Sequence, residues 1–274
     1  MSASDEPLIL SLETATRAGS IALVRGARLL SARAGDALVS HSTHLLENVR
    51  AVLADARLSL KEVELFAVAS GPGSFTGLRI GLATVKSFAA TLGRPSIGVP
   101  TLYAIALAAG PSIRTLAMMT AGRGEVYAQL LAVESSEGGG RGGGVGVASV
   151  RPLGEPQHVS PQRLLASLEH TGGLKLAGEG LHLYAEEIRA YARAKNISLS
   201  REGEPVEGAT AETVSDEWTL AAPIENLAVH VASLARGLFE GGERGSPEEL
   251  RAIYVRPSDA ELNEQCRAQN QPAG

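Results

Sequence analysis

The run A-V-A-S-G-P-G-S-F-T-G-L-R-I-G at residues 67–81 leads an apolar segment through a glycine-rich turn into a helix-forming stretch. Backbone N–H groups in that order can cradle a phosphate. The chemistry stops short of both standard forms. A Walker loop places its second glycine five residues after the first and follows it with lysine, whereas Thr76 stands five places after Gly71 and the nearest lysine is Lys86, inside the helix. A dinucleotide fingerprint would use Gly71 and Gly73, but Gly77 comes one place late, and no carboxylate lies between Glu64 and Glu125 to hold a ribose. Gly71, Pro72, Gly73, Ser74, Thr76, Gly77 and Gly81 therefore read as a structural turn that bends a strand sharply into a helix. What is left of a nucleotide reading rests on Gly73 together with Glu13 and Thr14, where a hard-oxygen ligand could meet magnesium or else simply cap a turn.

The other reactive groups are sparser. His41 and His44, with Glu47 three residues on, could share a helical face, but zinc hydrolases use H-E-x-x-H, and no second cluster supplies further ligands. Arg123 and Glu125 sit in R-G-E-V-Y, a turn from which they could pair across a domain cleft. Ser74 lacks the G-x-S-x-G elbow. Neither a catalytic residue nor a metal site is expected.

The elements that must carry these groups follow a recognisable order. β-prone runs at 8–14, 20–25 and 28–34 predict an antiparallel meander. A helix follows on the spacing of Leu45, Leu46, Val49, Val52, Leu53 and Ala56, then a strand at 66–69, a helix at 76–92, a strand at 96–99 and a helix at 101–109. From residue 115 the order begins again, with strands at 115–120, 126–133 and 145–150, a helix at 161–169, a strand at 174–177 and helices at 183–195 and 223–240. A duplicated βββαβαβα order predicts an α/β protein of two ribonuclease-H-like domains with mixed five-stranded sheets. The expected limits are 1–109, 110–262 with a glycine-rich insertion at 135–146, and a tail at 263–274. Residues 138–144 are almost pure glycine and suit a hairpin insertion. Residues 200–213 read as a polar loop.

Composition narrows the function. A net charge of −5 argues against a broad nucleic-acid platform. One cysteine, Cys266, allows no internal disulfide. The acidic, polar start and the lack of a long uncharged apolar run predict a cytoplasmic chain without a membrane span.

The helix at 76–92 carries only Arg79 and Lys86 as charges. Leu78, Leu82, Val85, Ala89 and Leu92 form one stripe, and small residues occupy much of the other side. A helix so weakly polar all round is packed on both sides. The second cover is either the other domain or a helix of a partner protein.

Together, I-L-S-L-E-T-A-T at 9–16, H-L-L at 44–46, S-G-P-G-S-F-T-G-L-R-I-G at 70–81, I-G-V-P-T-L at 97–102, G-E-V-Y at 124–127 and Y-V-R at 254–256 resemble the TsaB (YeaZ) family. The match is strongest over residues 8–132. It implies a shortened relative of the actin, Hsp70 and sugar-kinase ATPases that acts as the non-catalytic partner of TsaD in threonylcarbamoyl transfer to N6 of adenosine 37 of tRNA. A TsaE ATPase joins the same assembly. The implied contact uses the helices at 44–56 and 76–92, with His44, Leu46, Val49, Arg79, Ala83, Lys86 and Ala90 as the residues expected to meet the partner. ATP and magnesium would belong to partner subunits, tRNA would be met indirectly, and the isolated chain could pair with itself through the same helices. Glu13 stands where the family has aspartate, and Gly122 interrupts its D-A-R pattern, which weakens any ATPase role. The rival reading is an ATP-dependent kinase-like enzyme or metallopeptidase of the same superfamily.

Overall fold

The computed structural model describes residues 6–35, 41–134, 149–168, 173–202 and 217–255. The glycine insertion, most of the polar loop, Cys266, Arg256 and the tail lie outside the described residues.

The first half runs β1 (Leu8–Glu13), β2 (Ser20–Arg25), β3 (Arg28–Ala34), α1 (His41–Asp55), β4 (Leu65–Gly71), α2 (Phe75–Leu92), β5 (Ser96–Pro100) and α3 (Thr101–Ala108). Its sheet has the order β3-β2-β1-β4-β5. β2 is antiparallel to its neighbours β1 and β3, while β1, β4 and β5 are parallel. β1 and β4 are buried on both faces, which is why they read as continuous apolar runs rather than as alternating ones.

The second half runs β6 (Ser112–Gly122), β7 (Glu125–Glu134), β8 (Ser149–Pro152), β9 (Gln157–Val159), α4 (Pro161–Ser167), β10 (Leu174–Ala177), α5 (Gly180–Leu183), α6 (Ala185–Ala194), β11 (Ser198–Arg201), β12 (Glu217–Leu220) and α7 (Leu227–Glu240). The order β8-β7-β6-β10-β12 repeats the five-strand plan, so the duplicated ribonuclease-H-like fold class holds. Two short strands bring this sheet to seven. β9 resumes the pairing on β7 after an interruption between Pro152 and Pro156, residues that cannot donate to a ladder. β11 adds outside β12, partly inside the span expected to be loop. The fifth strand of the plan, β12, has no counterpart in the sequence reading. Its four residues are too few for periodicity to register.

The division at residues 109 and 110 separates the sheets but not their helices. α3 closes the first half in sequence yet packs on β6, β7 and β8, and α7 closes the second half yet packs on β1, β2 and β4. The two helices also pack on each other, which produces five layers: α1 and α2, the first sheet, α3 with α7, the second sheet, and α4 to α6. Alanines at 104, 106, 228, 232 and 235 fill the middle layer and let helices lie close between two sheets. Polar groups fix the crossover. Ser11 Oγ donates to Ala228 O at 2.7 Å, and Ser20 Oγ accepts from Ala228 N at 3.0 Å.

Candidate functional site

The glycine turn is closed by the protein itself. Gly71 takes φ +113°, a conformation that side chains disfavour, and a Cβ there would stand 2.5 Å from Ile253 O. Ile253 N donates to Ser70 O at 2.7 Å, and Tyr254 lies 5.4 Å from the Phe75 ring, so residues near 253 are stitched along the end of β4. On the other side, Ser74 N donates to Ala15 O at 2.8 Å, and a Cβ on Gly73 would meet Ala15 Cβ at 2.6 Å. Gly77 and Gly81 face Thr14: added Cβ atoms would stand 1.9 Å from its carbonyl oxygen and 2.2 Å from its hydroxyl. Thr14 Oγ1 in turn donates to Gly77 O at 2.7 Å. The glycines of α2 thus admit the protein's own β1 end, and both face the interior rather than a partner. The helix N-terminus is capped internally, with Ser74 Oγ accepting from Gly77 N at 3.2 Å.

Glu13 is fully buried at the floor of a cleft between the two halves. Its carboxylate accepts from Thr16 N at 2.6 Å, Thr16 Oγ1 at 2.8 Å and Ser20 Oγ at 3.2 Å. Burial holds its pKa above the ordinary carboxylate value, and these hydrogen bonds offset only part of that effect. From the second half, Glu179 lines the same cleft. Burial raises it too, the nearby Glu13 adds to the rise, and its Oε1 is buried without a hydrogen-bond partner. His182 and Glu225 complete the polar lining of a cavity of about 170 Å³, and no Lys or Arg lines it. Of the residual nucleotide set, Glu13 and Thr14 bond to the chain itself and Gly73 packs on Ala15.

His44 Nδ1 lies 2.8 Å from Glu47 Oε2 on the exposed side of α1. The side chain of His41 lies outside the described residues. Among the described residues no group of three or more His, Cys, Asp or Glu could hold a metal ion. Glu125 Oε2 lies 2.9 Å from His158 Nε2 within its own sheet.

The face of α1 and α2 that points away from the sheet is open. On α2, Leu78, Leu82, Val85 and Ala89 are buried, while Thr76, Arg79, Ala83, Ser87, Ala90 and Thr91 are exposed and Lys86 is half-buried. From the second half, Tyr254 reaches the start of α2 at Phe75. Arg79 stacks its guanidinium 4.0 Å over the Phe75 ring. Between the helices runs an apolar groove lined by Leu46, Val49, Leu53, Ala54, Leu58, Leu60 and Phe88, with Arg50 at its rim. Leu46 is 52% exposed, whereas Val49, at 3%, forms the groove floor rather than a projecting contact. His44, two residues before Leu46, is displaced to another side of α1, because residues at that spacing do not share a helix face. The sequence reading missed Arg50 and Phe88. Phe88 stands outside the apolar stripe read on α2, and only the neighbouring helix makes it a groove wall.

Duplicated ribonuclease-H-like halves around a shared helical layer, with a cleft between them, define the class of the actin-like and sugar-kinase-like ATPases. The family model of TsaD, tRNA N6-adenosine threonylcarbamoyltransferase, matches residues 36–180. The chain belongs to this family, on its TsaB (YeaZ) branch. It is 39% identical over 122 residues to an uncharacterized protein of Mycobacterium tuberculosis, covering 43% of this chain and 56% of that one. It is 36% identical over 122 residues to the tRNA threonylcarbamoyladenosine biosynthesis protein TsaB of Escherichia coli, covering 43% and 52%. The chain spans about half the length of the curated relatives it matches. A solved structure from Pseudomonas aeruginosa, described as similar to peptidase YEAZ, superposes with a TM-score of 0.66 at 25% identity, over 91% of this chain and 100% of that one.

Proposed function

We propose that this chain takes part in threonylcarbamoyladenosine biosynthesis on tRNA as a non-catalytic subunit, docking a TsaD-like catalytic subunit through the outer face of α1 and α2. The observation that carries the reading is that face: α1 and α2 present an apolar groove and a small-residue stripe to solvent. The glycine turn beside it is filled by the protein's own strand end, which leaves it a structural role. ATP and magnesium fall to partner subunits, among them a TsaE-like ATPase, and tRNA is met through the assembly. Among the described residues no helix is long and apolar enough to cross a membrane, in keeping with a cytoplasmic place of action.

Ala83 is exposed at the centre of α2, so Ala83→Glu leaves the fold intact and puts a charge into the docking surface. The variant is expected to keep its circular dichroism spectrum and lose copurification with the TsaD-like subunit, and depletion of the chain is expected to remove threonylcarbamoyladenosine from tRNA nucleosides. Undiminished copurification of a folded Ala83→Glu chain, or unchanged nucleosides after depletion, sinks the reading.

A further inference from the structure

We infer that the cleft between the two halves is a binding site for a small organic cation, a primary ammonium carried on a short aliphatic body. The site stands apart from the docking face, since none of its lining residues belongs to α1 or α2. Three carboxyls line it, each brought by a different part of the chain: Glu13 from the end of β1, Glu179 from just ahead of α5, and Glu225 from the approach to α7. Their hydrogen bonding is unequal. Glu13 is 1% exposed and engages both oxygens with Thr16 and Ser20. Glu179 Oε1 is buried with no hydrogen-bond partner, and the backbone of Thr120 and Arg17, which favours the ionised form of Glu179, leaves that oxygen unserved. A buried acceptor without a donor is costly, so this oxygen calls for a donor that the chain does not supply. The charge is unbalanced in the same sense. Among the described residues no Lys or Arg lines the cavity, and His182 supplies the ring nitrogens in it. Burial and the charge of Glu13 raise the pKa of Glu179, and the more weakly felt charge of Arg17 draws it down.

Size and wall set the body of the ligand. The cavity is about 170 Å³, and one of about 150 Å³ holds a molecule the size of benzene. Its apolar wall is built by Ile105 of α3 together with Ile224 and Leu227. A bare divalent ion would leave that wall unused, and among the described residues no group of three or more His, Cys, Asp or Glu could hold one. A neutral apolar molecule would leave the Glu179 oxygen without its donor. An ammonium on a chain of about four carbons meets both demands, with N–H donors for the carboxyls and an aliphatic body for the wall. Binding must also release protons. Burial holds Glu13 and Glu179 above the ordinary carboxylate value, and a cation between them favours their ionised forms. The free site therefore carries protons that the occupied site gives up, so affinity rises with pH until the free carboxyls ionise on their own.

The probe is n-butylammonium, titrated into the full chain by calorimetry beside butan-1-ol and butyrate, which differ from it in the head group. Butylammonium is expected to bind with a millimolar Kd, at least about 10-fold more tightly than butan-1-ol, and butyrate not to bind. Its Kd is expected to fall as pH rises above the ordinary carboxylate range, by at most about 10-fold per pH unit for each proton released. Its heat is expected to differ between phosphate and Tris, because the buffer takes up the released proton. Glu179→Gln keeps the shape of the site and is expected to weaken binding about 10-fold or more and to flatten the pH dependence. Should that chain fail to fold by circular dichroism, Ile224→Trp, at a half-buried position, fills the cavity and is expected to abolish binding. Equal affinity for butan-1-ol and butylammonium, a Kd unmoved by pH, undiminished binding by a folded Glu179→Gln or Ile224→Trp chain, or no binding of butylammonium at tens of millimolar overturns the inference. So does magnesium, alone or with ATP, that binds more tightly than butylammonium and displaces it, which would make the cleft a metal or nucleotide site. None of these results bears on copurification with the TsaD-like subunit, so docking stands or falls separately.

Discussion

Replacing Gly77 with alanine separates two explanations of the glycine run. Helix propensity alone favours the change by about 1 kcal/mol, since Gly77 lies in the first turns of an 18-residue helix. The structure reverses the sign. The new Cβ would stand 1.9 Å from the carbonyl oxygen of Thr14, and that oxygen is main chain at the end of the central strand β1, so no rotamer change relieves the contact. Strand and helix must part by about 1 Å, an overpacking that costs about 1–3 kcal/mol and more where backbone resists. The Thr14 Oγ1 to Gly77 O bond stretches with it, at about 1 kcal/mol. The net expectation is a loss of about 3 kcal/mol, a large share of the 5–15 kcal/mol that is usual for a folded chain. Urea denaturation should show a lower midpoint at unchanged slope, and the melting temperature should fall by roughly 6–12 °C. A Gly77→Ala chain as stable as the wild type that has nevertheless lost its partner would refute this reasoning and return the glycines to the interface.

Stability should fall as pH rises above the unfolded carboxylate range. Glu13 and Glu179 have raised pKa values in the folded state, so the native chain holds protons that the unfolded chain releases, and the stabilisation present at lower pH is lost as pH climbs through the native values. Glu13→Gln should flatten this slope above the unfolded carboxylate range, by no more than about 1.4 kcal/mol per pH unit for the one proton, in paired urea titrations; an unchanged slope counts against a raised pKa at Glu13. Trp218, the single tryptophan, is 1% exposed and stacks on Tyr191 with ring centroids 5.9 Å apart. Its emission should be blue-shifted in the native chain, and Trp218→Ala should cost about 3–5 kcal/mol in denaturant titrations; a red-shifted native emission would place β12 wrongly.

Much of the architecture was legible because local physics wrote it. The apolar runs of β1 and β4 and the 3.6-residue stripe of α2 depend only on neighbours in sequence, and the duplicated order that follows from them implied the fold class. The absence of a lysine after the glycine turn likewise excludes a Walker site from sequence alone. What the order of residues along the chain could not supply was the identity of each neighbour in space. Gly77 and Gly81 have the composition of a docking stripe, yet they turn inward, because 100° per residue puts them on the side of α2 that meets Thr14. Val49 and Leu46 both fit the apolar spacing of α1, and only the packing of α2 beside them makes one the floor of a groove and leaves the other exposed. α3 and α7 exchange sheets, a crossover set by contacts between residues more than 200 apart, such as Ser11 with Ala228. The same long-range closure buries Glu13 opposite Glu179, and that burial raises the pKa of both. Sequence determined which helices and strands could exist and which catalytic motifs could not; tertiary packing decided which faces stayed open, because exposure is a property of what lies across the gap and not of the residue itself.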